Sequence, residues 1–290
     1  MKKLFLSFLI FNFVYFCFAQ KDFHDSLRKG RDYWIELKRE EAKQVYNNIL
    51  KRYPNNIPIF LKTNYYLALL SHGKLKRDSI DISTALQHFN LVFLNRNKLT
   101  KKKKNSDIFS GLSYQQMMHN TCAEMGELFA LSKNYQKALY FYDLSEYPYT
   151  SQNDDSFNAN FDRYFASYCI KESKAKCYQS LNKLDSAFIS LFPFINKGTH
   201  TQKNSNKMLI DLVNYHNYKI TKIEIDNMIN QASIKYKGKN EEFYTYTIEL
   251  YKNNLKIIDT FSSELFFVNE DKALEKYRQE IINTDFYKSL

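Results

Sequence analysis

Histidine and cysteine, the residue types that most often bind metals or attack substrates, are few and scattered in this chain of 290 residues. The best-spaced pair is His119-x-x-Cys122, which would place two metal ligands one helical turn apart. Glu124 follows nearby, but on another side of the same helix. A structural zinc site needs four ligands, and no second pair accompanies this one, so the sequence predicts no metal and no cofactor.

Covalent catalysis has no signature in the sequence. A cysteine nucleophile needs a histidine base, and neither Cys169 nor Cys177 lies in a local pattern that supplies one. The six glycines are spread too widely to form a phosphate-binding loop, and the chain contains no serine-nucleophile elbow. We therefore predict no catalytic residue. One enzymatic alternative stays open, in which His200 or His216 meets Cys177 or an acidic residue in a pocket between the repeats and the C-terminal region.

The elements that position these residues are predicted to be helices. The chain has only 6 Gly and 4 Pro, against 23 Tyr and 24 Phe, and 44% of its residues are hydrophobic. Few turn formers and many large side chains indicate long regular elements rather than a turn-rich sandwich. The length allows one or two ordinary globular domains.

Residues 1–19 have the order of a secretory signal peptide. Lys2 and Lys3 form a basic start, a nearly continuous apolar run follows, and Ala19 precedes an abrupt polar stretch. Because the apolar run is shorter than the ~20 residues of a membrane span, we expect cleavage after Ala19. The mature protein is then exported, periplasmic or extracellular, without a membrane span. Losing the two lysines lowers the formal net charge from +11 to +9.

The strongest local charge feature is the run Lys101–Lys104. It is either a surface for an acidic partner or a solvated loop whose lysines repel one another. Export argues against genomic nucleic acid, so we expect no nucleic-acid partner.

Three cysteines remain after cleavage, Cys122, Cys169 and Cys177. On one helix the eight-residue spacing of the last two corresponds to about 12 Å, beyond the roughly 7 Å limit on the Cα separation of a disulfide. Either Cys122 pairs with one of the others, or all three are buried thiols that pack as small apolar groups.

A pattern of small and aromatic residues recurs along the chain. It consists of a small residue, an aromatic or equally large residue three positions later, an alanine after twelve and another large residue after sixteen. This spacing is typical of two helices that cross closely, because small residues let the backbones approach and large side chains fill the space beside them. The copies are Gly30/Tyr33/Ala42/Tyr46, Gly126/Phe129/Ala138/Tyr142 and Ala175/Tyr178/Ala187/Leu191.

These motifs resemble the tetratricopeptide repeat family, whose helix-turn-helix unit recurs every ~34 residues. A degenerate fourth copy has Leu67 on its first helix, and Ala85 with Phe89 on its second. The resemblance implies a mainly helical solenoid of about four units over residues 20–198, with a non-repetitive helical bundle as the alternative. The spacing departs from the family and requires loop insertions. Successive units lie 43, 53 and 49 residues apart, measured between Ala42, Ala85, Ala138 and Ala187.

The chain changes character after Gly198. Residues 199–206 are all polar and predict a linker to a C-terminal region, 207–290. That region begins with two predicted helices, 207–218 and 221–236, the second of which opens with a Thr221-x-x-Glu224 capping box.

Apolar and polar residues then alternate with period two, which favours strands. We predict a hairpin over 243–261 with Asn253 and Asn254 in its turn, the alternative being another helix. Asn269 is predicted to cap a final helix.

The resemblance to tetratricopeptide repeats implies that the first helices of the units line a concave binding face. We therefore predict an exported scaffold that binds a protein or peptide and has no catalytic activity. Two alternatives remain: the hydrolase-like enzyme described above, and a neutralising or assembly partner of an exported toxin or envelope complex. The sequence leaves the oligomeric state open. The residues implied to bind the partner are Arg31, Trp34, Asn120, Glu127, Glu172 and Lys176.

Overall fold

A computed structural model describes residues 22–73, 80–99, 112–146, 157–197, 199–239, 243–264 and 269–290. Within these ranges the protein is mainly helical and has a small three-stranded antiparallel sheet near its C-terminus. The predicted signal peptide and the run Lys101–Lys104 lie outside the described residues. The chain divides into two compact units, unit 1 (Met1–Gln152) and unit 2 (Asn153–Leu290).

Unit 1 consists of helices that pack against their neighbours in sequence. Its described helices are α1 (22–35), α2 (Arg39–Arg52), α3 (Ile57–His72), α4 (Ile82–Asn95), α5 (Tyr114–Leu131) and α6 (Tyr135–Ser145), with a short 3-10 helix at Arg96–Lys98. Local sequence explains where several of them begin. Asn56, Asp81 and Asn134 each accept a hydrogen bond from a backbone N–H in the first turn, and Ser113 forms a capping box with Gln116.

The close helix crossings predicted from the repeat pattern are confirmed in unit 1. A Cβ atom added to Gly30 would lie 2.5 Å from the ring of Tyr46, and one added to Gly126 would lie 2.6 Å from the ring of Tyr142. The alanines of the pattern, Ala42, Ala85 and Ala138, are completely buried. In this unit, the small and aromatic residues of the pattern therefore pack where two helices cross, as predicted. A solenoid arrangement and membership of the tetratricopeptide repeat family stay predictions.

Unit 2 contains both helices and the sheet. Its helices are α7 (Phe157–Ser180), α8 (Leu184–Leu191), α9 (Thr199–His216), α10 (Lys222–Asn230), α11 (Glu270–Ile282) and α12 (Asp285–Ser289), with a 3-10 helix at Phe192–Phe194. The last predicted repeat, which includes Ala175 and Ala187, lies here. Its two alanines share one hydrophobic core with the sheet and with α11. The boundary between the two compact units therefore lies before this repeat, between Gln152 and Asn153, and not after residue 198.

The predicted linker 199–206 is wrong, because Thr199–His216 form helix α9. Three polar side chains of its first turns, Thr201, Ser205 and Asn206, are buried rather than solvated. Asn206 Nδ2 donates to Ile195 O at 2.9 Å, and Asn206 Oδ1 accepts from the Phe286 N–H at 2.7 Å. An amide side chain can be buried in a core when its donors and its acceptor are hydrogen-bonded. The composition of a polar stretch does not show whether such partners are present.

The predicted hairpin is present and belongs to a larger sheet. Strands β1 (Ser233–Lys239), β2 (Phe243–Lys252) and β3 (Leu255–Glu264) are antiparallel in the order β1-β2-β3. Asn253 and Asn254 have φ values of 49° and 65°, as a tight two-residue hairpin turn requires. The helix predicted over 221–236 ends at Asn230, because β1 pairs with β2 from Ser233 onward. The capping box at Thr221 and the cap at Asn269 are confirmed.

Cys122, Cys169 and Cys177 are free thiols. Among the described residues, no helix combines the length and the apolar character needed to cross a membrane.

Candidate functional site

Helix α3 buries polar side chains, which is unusual for a helix of this size. Lys62 is 3% exposed and His72 is 3% exposed, and Asn64 is completely buried. Asn64 is satisfied by a neighbour, since its Oδ1 lies 2.8 Å from Nδ1 of His88 on α4. Because burial of polar groups opposes folding, the polar groups on α3 are candidates for function.

Lys62 lies beside α1. Burial, and to a smaller extent the positive charge of Arg31, lowers the pKa of its ammonium to about 8. Arg31 is itself exposed. The two cations therefore form a positively charged end of the α1–α3 surface.

Helix α5 faces the other part of α3 with three polar residues on one side. Asn120, Glu124 and Glu127 are spaced i, i+4 and i+7, so they share a helix face. Asn120 Nδ2 donates a hydrogen bond to the Tyr65 hydroxyl at 3.2 Å. Burial raises the pKa of Tyr65 to about 12, so this hydroxyl stays protonated at neutral pH.

The imidazole of His72 lies between the two carboxylates of α5. Its Nδ1 is 2.8 Å from Oε2 of Glu124, and its Nε2 is 3.9 Å from Oε1 of Glu127. The His72 side chain is almost fully enclosed, and that of Glu127 is about half exposed. This end of the surface is therefore negatively charged and partly open to solvent.

Together these side chains form a polar strip that runs from α1 across α3 to α5. Three of the six residues predicted to bind a partner, Arg31, Asn120 and Glu127, belong to it. The other four members of the strip were not among the predicted partner-binding residues, although their periodic placement on α3 and α5 is a signal that the sequence carries. The polar strip consists of Arg31, Lys62, Tyr65, His72, Asn120, Glu124 and Glu127.

The remaining predicted partner-binding residues lie elsewhere. Trp34 is half-buried against the hydrophobic cluster of α1, α2 and α3. Glu172 and Lys176 belong to unit 2, where they form an ion pair of 2.5 Å along α7. Only three of the six residues predicted to bind a partner therefore lie together in the polar strip.

The pair His119-x-x-Cys122 has other roles in the structure. His119 Nδ1 lies 2.5 Å from the carbonyl oxygen of Ser145, and Cys122 is buried with a pKa raised to about 11 by desolvation. In the part of the chain that the structure describes, the group that brings three potential ligand atoms within 4.8 Å of one another is His72, Glu124 and Glu127.

Unit 2 has a second buried polar cluster, around Asp259 of β3. Asp259 is 2% exposed and lies between the inward-facing Ile257 and Phe261. Its Oδ1 is 2.9 Å from Nζ of Lys197, and its Oδ2 accepts a hydrogen bond of 2.9 Å from the Tyr277 hydroxyl. A charged residue in an otherwise apolar alternation was the signal that could have found this cluster.

A cavity of about 600 Å³ lies next to this cluster. Its lining includes Lys171, Asn196, Lys197, Asp259 and Glu280. Asn196 Nδ2 donates to Oε2 of Glu280 at 3.1 Å. Burial raises the pKa of Asp259 and of Glu280, against the opposing attraction of the Lys197 ammonium.

The residues of the hydrolase alternative contact amides or are buried. His216 contacts the side-chain amide of Gln179, and His200 Nε2 lies 3.4 Å from Nδ2 of Asn204. Burial raises the pKa of Cys177 to about 11. A thiol with such a pKa is almost entirely protonated at neutral pH and is a poor nucleophile.

Comparison with known proteins gives no further assignment of these sites. No protein-family model, no curated protein and no solved structure matches this chain. The chemistry of the polar strip and of the Asp259 cluster is therefore inferred from their geometry.

Proposed function

We propose that unit 1 is a binding module for a protein segment or peptide, and that the polar strip is its contact surface. The observation that carries the proposal is the buried Lys62, whose pKa is lowered to about 8 on a helix that also buries His72. Perturbed groups of this kind cluster at functional sites, because a site retains them against their cost in stability.

The arrangement of the helices supports the proposal. The strip is built from α1, α3 and α5, which alternate along the chain with α2, α4 and α6. By the resemblance to tetratricopeptide repeats, these are the first helices of three units, and first helices line the binding face of such arrays. The accessible side chains of the strip lie on two helices, Arg31 on α1 and Asn120, Glu124 and Glu127 on α5, and they can contact an extended partner at several points. Lys62 on the intervening α3 is buried and contributes its charge.

The charges of the strip indicate what the partner carries. Arg31 and Lys62 make the α1 end positive, whereas Glu124 and Glu127 make the α5 end negative. Complementary charge sets the orientation of a partner and speeds its association. We therefore expect a segment with an acidic group at one end and a basic group at the other.

Panning a phage-displayed library of random peptides against the purified protein tests the proposal. Enriched peptides are synthesised, and their affinity is measured by fluorescence anisotropy. We expect Arg31→Ala and Asn120→Ala each to weaken binding about tenfold, equivalent to about 1.4 kcal/mol. Arg31→Ala, at an exposed position, should leave the melting temperature unchanged. Lys51→Ala, on the exposed surface of α2, is the matched control and binds like the wild type.

The proposal fails if no peptide is enriched, or if the strip variants bind an enriched peptide as tightly as Lys51→Ala does. A peptide that binds both strip variants with the wild-type affinity would place the contact surface elsewhere on the chain.

A further inference from the structure

We infer that His72, Glu124 and Glu127 form a binding site for a divalent transition metal, with Zn²⁺ as the best-fitting ion. The three side chains place potential ligand atoms within 4.8 Å of one another. His72 comes from the last turn of α3, and the two glutamates are one turn apart on α5. Two packed helices therefore hold all three ligands in unit 1.

The state of the His72 imidazole is a second, independent observation. Its side chain is 98% enclosed, and Nδ1 makes no hydrogen bond, although it lies 2.8 Å from Oε2 of Glu124. In the tautomer that carries its proton on Nε2, the lone pair of Nδ1 faces the carboxylate oxygen at this distance and is repelled by it. A cation held between the two atoms turns this repulsion into attraction.

The distances fit an ion with short bonds. Zn²⁺ binds nitrogen and carboxylate oxygen at about 2.0–2.2 Å, so tetrahedral ligand atoms lie roughly 3.3 Å apart. Nδ1 of His72 and Oε2 of Glu124 would have to separate by only about half an ångström from their 2.8 Å contact. One ion can reach only one ring nitrogen, and Nδ1 is placed for it beside Glu124. Oε1 of Glu127 now lies 3.9 Å from Nε2, so this half-exposed side chain has to turn toward the ion to become the third ligand.

The donor set selects the class of metal. One imidazole with two carboxylates suits Zn²⁺ and its transition-metal neighbours, whereas Ca²⁺ takes six to eight oxygen ligands. Three protein ligands leave a fourth position of Zn²⁺ for water. Glu127 is half-exposed, so an ion can enter from solvent on its side.

This site does not depend on the proposed peptide-binding function, because it can be occupied without a peptide. The test uses the full chain, treated with EDTA and then desalted. Zinc binding is measured by isothermal titration with ZnCl₂, and the bound metal is counted by mass spectrometry of the elements. We expect one Zn²⁺ per chain, a raised melting temperature with Zn²⁺ and much weaker binding of Ca²⁺.

Variants assign the ligands. Glu124→Gln and His72→Gln should each weaken Zn²⁺ binding about 100-fold or more, beyond the effect of losing an outer-shell partner. The controls His88→Gln, a half-buried histidine on α4, and Glu41→Gln, an exposed glutamate on α2, should leave the affinity unchanged. If the buried variants do not fold, Glu127→Gln decides, because its half-exposed side chain can change without disturbing the core.

Less than one Zn²⁺ per chain in the wild type would overturn the site. Equal affinities in Glu127→Gln and the wild type, or an equal loss in His88→Gln, would also overturn it. Binding of Ca²⁺ as tight as that of Zn²⁺ would refute the transition-metal assignment.

Discussion

Each unit buries a carboxylate next to a nitrogen base, but the two contacts differ. In unit 2, Asp259 has Lys197 on one oxygen and the Tyr277 hydroxyl on the other, both at 2.9 Å. In unit 1, Nδ1 of His72 lies against Glu124 without forming a hydrogen bond. The Asp259 cluster satisfies its carboxylate with its own side chains, whereas the His72 contact leaves a ring nitrogen that can bind a ligand.

Whether a buried polar cluster satisfies its own hydrogen-bonding groups distinguishes a structural cluster from one that can bind a ligand. A buried cluster whose members satisfy one another rigidifies the core, and removing one member leaves the others buried and unpaired. A cluster that lacks a satisfying partner instead lowers stability until a ligand supplies it. Buried charges can be compared in the same way: removing the Asp259 carboxylate should destabilise the protein, whereas removing the Lys62 ammonium, whose burial and proximity to Arg31 disfavour its charge, should stabilise it.

Asp259→Ala should have the largest effect. We expect it to lower the free energy of unfolding by about 3–5 kcal/mol, because the buried Tyr277 hydroxyl would lose its acceptor and the Lys197 ammonium its counter-charge. Urea denaturation followed by circular dichroism measures the change. Asp25→Asn, which breaks an exposed ion pair with Arg28, is the control and should change stability by less than about 0.5 kcal/mol. An equally small effect of Asp259→Ala would show that this cluster does not stabilise the fold.

Lys62→Met should act in the opposite direction and stabilise the protein at pH 7 by about 1–3 kcal/mol, since each pKa unit corresponds to about 1.4 kcal/mol. The pKa of Lys62 is lowered from its ordinary 10.5 to about 8. Below pH 8 both folded and unfolded chains hold the charge, so the full penalty for burying it is present. Between pH 8 and 10.5 the folded state loses its proton first, so the wild type gains stability relative to the variant.

Denaturant unfolding of Lys62→Met and the wild type across this pH range measures the difference, with the exposed Lys51→Met as control. A gain that does not shrink with rising pH would show that desolvation of the ammonium is not its cause.

Gly126→Ala should destabilise the protein by about 1–2 kcal/mol. The added methyl group would lie 2.6 Å from the ring of Tyr142, and this overpacking exceeds the gain in helix propensity. Gly238→Ala in β1 is the matched control in unit 2, because no atom lies within 4 Å of its added Cβ. Thermal unfolding of the two variants compares them, and equal melting temperatures would contradict the close approach of helices in unit 1.

The smallest expected effect comes from the capping boxes, which the two units share. Ser113→Ala in unit 1 and Thr221→Ala in unit 2 should each cost about 1 kcal/mol, because each loses a hydrogen bond to a first-turn N–H. Equilibrium denaturation of the two variants checks this. Equal losses of stability would show that the two units differ in their buried polar groups and not in their helix caps. A much larger loss at one cap would show that the units also differ in local helix stability.

Much of the local structure follows from the sequence. The caps at Asn134, Thr221 and Asn269 depend on side chains that bond to backbone groups two or three residues away. The turn at Asn253–Asn254 and the alternation before it are equally local. The polar stretch 199–206 could not be recognised as a helix in this way, because its packing depends on contacts of Asn206 with Ile195 and Phe286, the second of which lies 80 residues away.

By itself the sequence determined where most helices lie, how they are capped and which small residues let them cross, because each of these depends on short spacings. Only the tertiary structure decided which polar groups meet. His72 and Glu124 are separated by 52 residues, and Lys197 and Asp259 by 62. A helix or strand period shows which residues share a face, but the packing of one element against another decides what that face contacts.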